Sequence, residues 1–259
     1  MSTGKDSVKK TYGLRGCSNV LWEREQEAQR SKEELTELEQ AVIGAHFVNM
    51  ISGIGRLCYR SNKGMMPVCP YFLEDDIPDE KQATGGSGKS IIVKLVVGSA
   101  VHVLDVDMKR FVSVTDAKFE LGKLSSEPYK YRVLHWEDKP KAFPMKYFYN
   151  MVTSGLTVER KMVDPVTFSA EEAPKSVITC NYPLSDDDDS TVGRFPLVSF
   201  SNRFARANPQ KRKAARLMSA LMKNFSDKPE EIDDTDRNQA IYICALAVQF
   251  LMRYHTFAI

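Results

Sequence analysis

The chain has 259 residues, 42% of them apolar, enough to bury a full core in one large domain or in one domain with flanking modules. Its formal net charge of +2 is too small to mark a nucleic-acid binder unless basic residues are concentrated locally. Cys17, Cys58, Cys69, Cys180 and Cys244 are scattered, with no C-x-x-C pair and no nearby His at ligand spacing; this argues against a zinc site or a disulfide framework and for the reduced thiols of a cytoplasmic protein.

The opening MSTGKDSVKK lacks the apolar segment of a secretion signal. From about Ser18 to Tyr59 the chain reads as helical. Trp22 through Gln40 is rich in Glu, Arg, Lys, Leu and Gln, which lose little side-chain freedom in a helix. Beyond Leu38, the apolar set Val42, Phe47, Met50, Ile51 and Ile54 recurs at helical spacing. A helical bundle packed on the main domain and a subunit-contact collar both fit this pattern.

From about Met65 to Phe200 strands and helices alternate, which indicates a parallel sheet covered on both faces, an α/β fold. Candidate strands are Val68–Leu73, Val101–Asp105, Tyr131–Trp136, Ser176–Cys180 and Phe195–Ser199, with helices after Lys89 and around Tyr147. Ser185 to Ser190 is expected to be a loop, because its four adjacent aspartates repel one another and solvate. Asn202 to Ile259 is again helical, with an acidic, Pro-containing break near Asp227–Asp236. Its longest apolar stretch, Ala240 to Met252, is too short to span a bilayer, so a soluble protein without a membrane partner is expected. The expected divisions are residues 1–64, 65–204 and 205–259.

The chemistry concentrates in the middle division. Gly85-Gly86-Ser87-Gly88-Lys89-Ser90 precedes the apolar run Ile91 to Val97. Glycines allow successive backbone N–H groups to turn toward phosphate oxygens at the positive end of the following helix. Lys89 would reach the β- and γ-phosphates of a nucleoside triphosphate, and the Ser90 hydroxyl would ligate Mg²⁺. Ala83 stands where the usual pattern opens with Gly.

A phosphate loop alone does not activate water. Arg132 through Asp138 supplies an apolar strand ending in two acids, Glu137 and Asp138, at the sheet edge where ligands bind in open α/β sheets. Register favours Glu137 for the metal and Asp138 for the water. The next strand ends at Asn181, whose amide could bond both a γ-phosphate and the attacking water; a turn-forming Asn is the plainer reading. Arg194 could act as an arginine finger or stand as a surface residue. Arg203, Arg206, Lys211, Arg212, Lys213 and Arg216 form a basic run that suits either phosphate-backbone contact or a solvated helix face. Tyr147, Phe148 and Tyr149 fit the core better than base stacking. His102 and His135, in apolar runs, fit buried or edge positions better than ligands.

Taken in order, these segments resemble superfamily 3 helicases, specifically the helicase part of phage and plasmid primase-helicases related to the poxvirus primase-helicase. The resemblance runs from about Pro70 to Phe204. It is carried by Gly85–Ser90, by Trp136-Glu137-Asp138, by Ala173–Asn181 and by Arg194-Phe195. Met151 through Lys161 resembles the family's hairpin facing the central channel, which puts Arg160 and Lys161 at single-stranded DNA. The resemblance implies an AAA+-type P-loop core with helical additions at both ends, using ATP and Mg²⁺. It further implies a homo-oligomeric ring, a hexamer, with Arg194 reaching the neighbouring subunit's nucleotide. The function implied is an ATP-dependent helicase or translocase of phage or mobile-element DNA replication, acting in the host cytoplasm beside a primase or other replication proteins. A nucleotide-controlled DNA clamp or initiator, and a small-molecule kinase, are the alternative readings.

Overall fold

The computed structural model describes residues 37–63, 67–74, 87–111, 117, 120–127, 129–160, 162–182, 184, 189–200 and 234–254. Five parallel strands form the central sheet: β1 (Tyr71–Glu74), β2 (Val103–Asp107), β3 (Val133–Glu137), β6 (Lys175–Cys180) and β7 (Leu197–Phe200), in the spatial order β2-β3-β6-β1-β7. The expected α/β class and parallel sheet are therefore present. Two further strands, β4 (Gly155–Arg160) and β5 (Val163–Ser169), make a separate antiparallel hairpin.

Every residue of β1 and β6 is buried, as expected for strands covered on both faces. Side chains alternate between the two faces with the strand period of two. Phe72, Val133, Val177 and Val198 point to one face. There they meet α1 (Glu37–Cys58), α6 (Asp234–Tyr254) and the helical segment α2, in which Lys89–Ile91 leads through a π-helical Ile92–Val97 to Gly98–Ala100. Tyr71, Leu73, Leu134, Trp136 and Ile178 point to the other face. That face is covered by α3 (Gly122–Ser126), α4 (Lys146–Thr153) and the hairpin, through Leu124, Phe148, Met151, Leu156 and Phe168. A short helix, α5 (Asp189–Arg194), leads into β7.

The differences from the expected boundaries have local causes. β1 begins at Tyr71 rather than Val68, because Pro70 has no N–H to give the ladder. Val101 still donates to the Val97 carbonyl at the end of α2, so β2 starts at Val103. Phe195 likewise closes α5 onto Thr191, which delays β7 to Leu197. Asp189 and Ser190, expected in a loop, open α5, where an acid suits the helix's first turn. Met151–Thr153, expected in the hairpin, belong to α4. The hairpin starts at Gly155, whose φ of +105° and close approach to the Phe168 carbonyl leave no room for a Cβ. Phe47, counted with the apolar face of the first helix, is 53% exposed. Phe148 is buried and Tyr147 and Tyr149 pack on the core, as expected. Among the described residues, no helix is long and apolar enough to cross a membrane.

Candidate nucleotide site

Strand order determines which side chains meet. β1 runs into the glycine-rich segment, and its Leu73 lies opposite Cys180 of β6, so Asn181 follows at the same edge. β6 in turn flanks β3, with Trp136 opposite Ile178. The C-terminal ends of β1, β6 and β3 therefore stand side by side. The chain leaves β1 toward β2 on one side and enters β7 on the other, the reversal of strand order beside which open sheets bind ligands.

Gly85 and Gly86 lie outside the described residues. From Ser87 onward the turn is visible. Gly88 takes φ +96°, a left-handed conformation open to glycine, and nothing stands within 4 Å of where its Cβ would be. Lys89 opens α2 and is buried. Its Nζ donates to Glu74 Oε2 at 3.1 Å and to Ser87 Oγ at 2.9 Å. Ser90 follows, half-buried in the first turn.

Glu137 ends β3 on the face that α2 covers. Lys94, inside the π-helical stretch, donates to its two carboxylate oxygens at 3.0 and 2.8 Å. Burial works against the Lys94 ammonium, yet the hydrogen bond to Glu137 and the charges of Asp105, Glu137 and Asp138 keep its pKa above the ordinary value. Asp138 takes φ +55°, a left-handed conformation uncommon outside glycine. Lys109 pairs with it at 2.7 Å, and that hydrogen bond raises the Lys109 pKa. Lys89, Glu137 and Asp138 are thus each engaged by an opposite charge.

Behind Glu137, His135 is fully buried, as its apolar surroundings suggest. Its Nδ1 lies 2.6 Å from Asp105 Oδ1 and its Nε2 3.0 Å from the Thr179 hydroxyl. Asp105 offers only acceptors, so Nδ1 is the donor and Nε2 is left to the hydroxyl. Asp105, His135 and Glu137 bring ligand atoms within 4.8 Å of one another. With both ring nitrogens engaged and Lys94 on Glu137, this group supports the carboxylate rather than offering an imidazole to an ion. Ser90 and Glu137 offer oxygen donors of the kind Mg²⁺ takes, and the space beside Gly88 is open.

Arg194 stands apart from this group. Its carbonyl accepts from Cys69 N ahead of β1, which puts Arg194 at the N-terminal edge of the sheet, opposite the edge of Lys89. The side chain is half-buried. Its guanidinium lies over the Tyr149 ring at 5.3 Å and donates to the Ser190 carbonyl and hydroxyl at 2.8 and 2.7 Å. Arg160 ends β4, but its side chain, Lys161 and the basic run Arg203–Arg216 lie outside the described residues. Sequence reading overlooked Glu74, Lys94 and Lys109. A lone Lys94 inside the apolar run Ile91–Val97 is the signal that could have found the most informative of them.

No protein-family model matches the chain, and no curated protein matches it. Among solved structures, it is similar to the JC virus (JCV) helicase bound to a thiazolopyridine-phenoxyphenyl acetamide, at 14% identity and a TM-score of 0.41, covering 94% of this chain and 71% of that one. A second JCV helicase structure gives 14% identity and a TM-score of 0.39, covering 94% and 70%. The apo C-terminal region of NrS-1 gives 15% identity and a TM-score of 0.40, covering 77% of this chain and 46% of that one. At these scores the likenesses assign no function.

Proposed function

We propose that the chain is an ATP hydrolase that drives movement on single-stranded nucleic acid. The observation that carries the hydrolase reading is the side-by-side arrangement of Lys89, Asn181 and the Glu137-Asp138 pair at the C-terminal edge of one parallel sheet. Lys89 would exchange Glu74 for phosphate oxygens, and Ser90 with Glu137 would hold Mg²⁺. When bound, Mg²⁺–ATP supplies the transferable phosphoryl group and the metal charge that offsets its oxygens. Asp138 would orient water and accept its proton, while Asn181 would bond the terminal phosphate. Lys94 balances Glu137, and it must release that carboxylate before a metal can be held.

Movement on nucleic acid is supported by the β4–β5 hairpin, which follows β3 and carries Arg160 at its turn. The ordered resemblance of the motifs to superfamily 3 helicases supports the same reading. In it, subunits close into a ring, a hexamer by that resemblance, and Arg194 serves the neighbouring subunit's site. Its distance from its own chain's Lys89 edge agrees with such a role.

The test is ATP turnover with and without single-stranded DNA, combined with the mass of the assembly. DNA-stimulated turnover in a ring supports the proposal, and strand displacement separates a helicase from a clamp. Turnover stimulated by a small-molecule acceptor instead of DNA would identify a kinase. A protein that stays monomeric with ATP and DNA, yet hydrolyses at full rate, cannot be using Arg194 in trans.

A further inference from the structure

The N-terminal edge of the sheet holds a second polar cleft that the proposed hydrolysis does not use. It is shallow and open to solvent, bordered by Arg56, Asn62, Met151, Pro174 and Lys175. It adjoins a smaller recess bordered by Arg60, Arg132 and Glu172. Arg56 comes from the last turn of α1, Arg132 from just before β3 and Lys175 from the first residue of β6. Arg56 is 6% exposed and Lys175 7%.

The turn after α1 fixes all three cations through acceptors that carry no charge. Arg56 Nη1 donates to Asn62 Oδ1 at 3.1 Å, Arg132 Nη2 to the Arg60 carbonyl at 2.6 Å, and Lys175 Nζ to the Tyr59 carbonyl. Asn62 is itself pinned by the Ala170 and Ala173 carbonyls at 3.0 and 2.9 Å. Arg56 Nε is buried without any partner. Glu171 and Glu172 border the recess, but Glu172 is held by Ser169, and among the described residues no acid pairs with the three cations.

Burying charge without a counter-charge is costly, and repulsion among three cations adds to that cost. The strain registers on the groups themselves. Burial, followed by the Arg56 and Arg132 charges, pushes Lys175 down to about 7, and burial lowers Arg56 to about 10. A structural cation would be expected to have an acid beside it. Here fixed basic donors line two adjoining recesses with no acid paired to them, an arrangement suited to an oxyanion.

We infer that the two adjoining recesses, with Arg56 in the first, Arg132 in the second and Lys175 in both, make a binding site for a phosphate group, borne by inorganic phosphate or by the end of a nucleic-acid strand. The site lies at the opposite sheet edge from Lys89 and does not depend on the hydrolase reading.

The experiment uses the full chain carrying Lys89→Ala, which weakens phosphate binding at the other edge. Calorimetric titration with inorganic phosphate, against sodium chloride at matched ionic strength, should show one saturable site and a rise in Tm that chloride does not give. Adding Arg132→Gln, or separately Lys175→Met, should weaken that affinity about tenfold or more, the size expected for a charge-assisted hydrogen bond. Arg132 is only half-buried, so its variant serves if Lys175→Met fails to fold. The dinucleotides pTpT and TpT then separate the two sources. Competition with phosphate by pTpT alone assigns the site to a strand end, and competition by neither assigns it to free phosphate. The inference is overturned if phosphate acts no differently from chloride, or if a folded Arg132→Gln protein binds phosphate as tightly as its parent.

Discussion

The two edges of the sheet balance their basic side chains differently. At the C-terminal edge Lys89, Lys94 and Lys109 meet Glu74, Glu137 and Asp138 at 3.1, 2.8 and 2.7 Å. At the N-terminal edge Arg56, Arg132 and Lys175 meet only carbonyl and amide oxygens. The three pairs of the first edge are balanced as they stand, so in the proposed function phosphate and Mg²⁺ would enter by exchanging partners: phosphate would take Lys89 from Glu74, and the metal would take Glu137 from Lys94. The second edge carries unbalanced charge, and an anion would enter it without displacing an acid. Two such sites on one sheet would both favour phosphate while differing in what binding must break.

The acids of the balanced edge give the largest expected effects. Asp138→Asn should lower ATP turnover about 10²-fold or more, the usual contribution of a positioned base, while leaving Mg–ATP binding largely intact. Glu137→Gln should cut both turnover and Mg²⁺-dependent nucleotide binding. Single-turnover kinetics with a nucleotide-binding assay separates the two, and normal turnover in both variants would reduce the pair to a solvated turn.

The unbalanced edge predicts a pH effect of a few kcal/mol. Lys175 sits near 7 in the fold, against 10.5 for the free side chain. Between those values the unfolded chain holds a proton that the folded chain lacks, so stability should rise as pH increases from about 7 toward 10. The slope should approach about 1.4 kcal/mol per pH unit. Urea melts across that range should show the rise, and Lys175→Met should flatten it. An unchanged slope in that variant would mean that Lys175 is not held uncharged.

A smaller effect is expected at Lys94. Its pair with Glu137 is partly exposed, so Lys94→Met should cost about 1–2 kcal/mol in Mg²⁺-free urea melts, between the values for surface and buried pairs. Added Mg²⁺ should restore part of that loss, because the metal replaces the missing cation. A loss that Mg²⁺ does not alter would show that the two do not share Glu137. Smallest is the effect of Arg160→Ala, outside both edges. Basal hydrolysis should hold while the salt slope of single-stranded DNA binding falls by about 0.7, the share of one phosphate that the arginine no longer neutralises. An unchanged slope would remove Arg160 from the nucleic-acid interface.

Residues at strand ends were legible in the sequence, because an apolar run followed by an acid or amide both makes a strand and says where it stops. Glu137, Asp138 and Asn181 were found this way, and the five strands of the parallel sheet followed from apolar runs. Pairing was not legible. Nothing in the string joins Lys94 to Glu137 across 43 residues, or Lys175 to the carbonyl of Tyr59 across 116. Those contacts arise because β3 lies beside β6 and α2 covers the face on which Glu137 emerges, and strand order is set by packing of the whole sheet. Lys175 illustrates the limit: it reads as an ordinary strand-opening lysine, and only the fold brings Arg56 and Arg132 beside it.

The most direct test of the account is ATP turnover by folded Lys89→Ala protein beside the unaltered chain, both with saturating single-stranded DNA. Lys89 acts on phosphate in this account, so turnover should fall to background while circular dichroism and thermal unfolding show an intact fold. Turnover at the unaltered rate in the folded variant would contradict the assignment of the C-terminal edge as a nucleotide site.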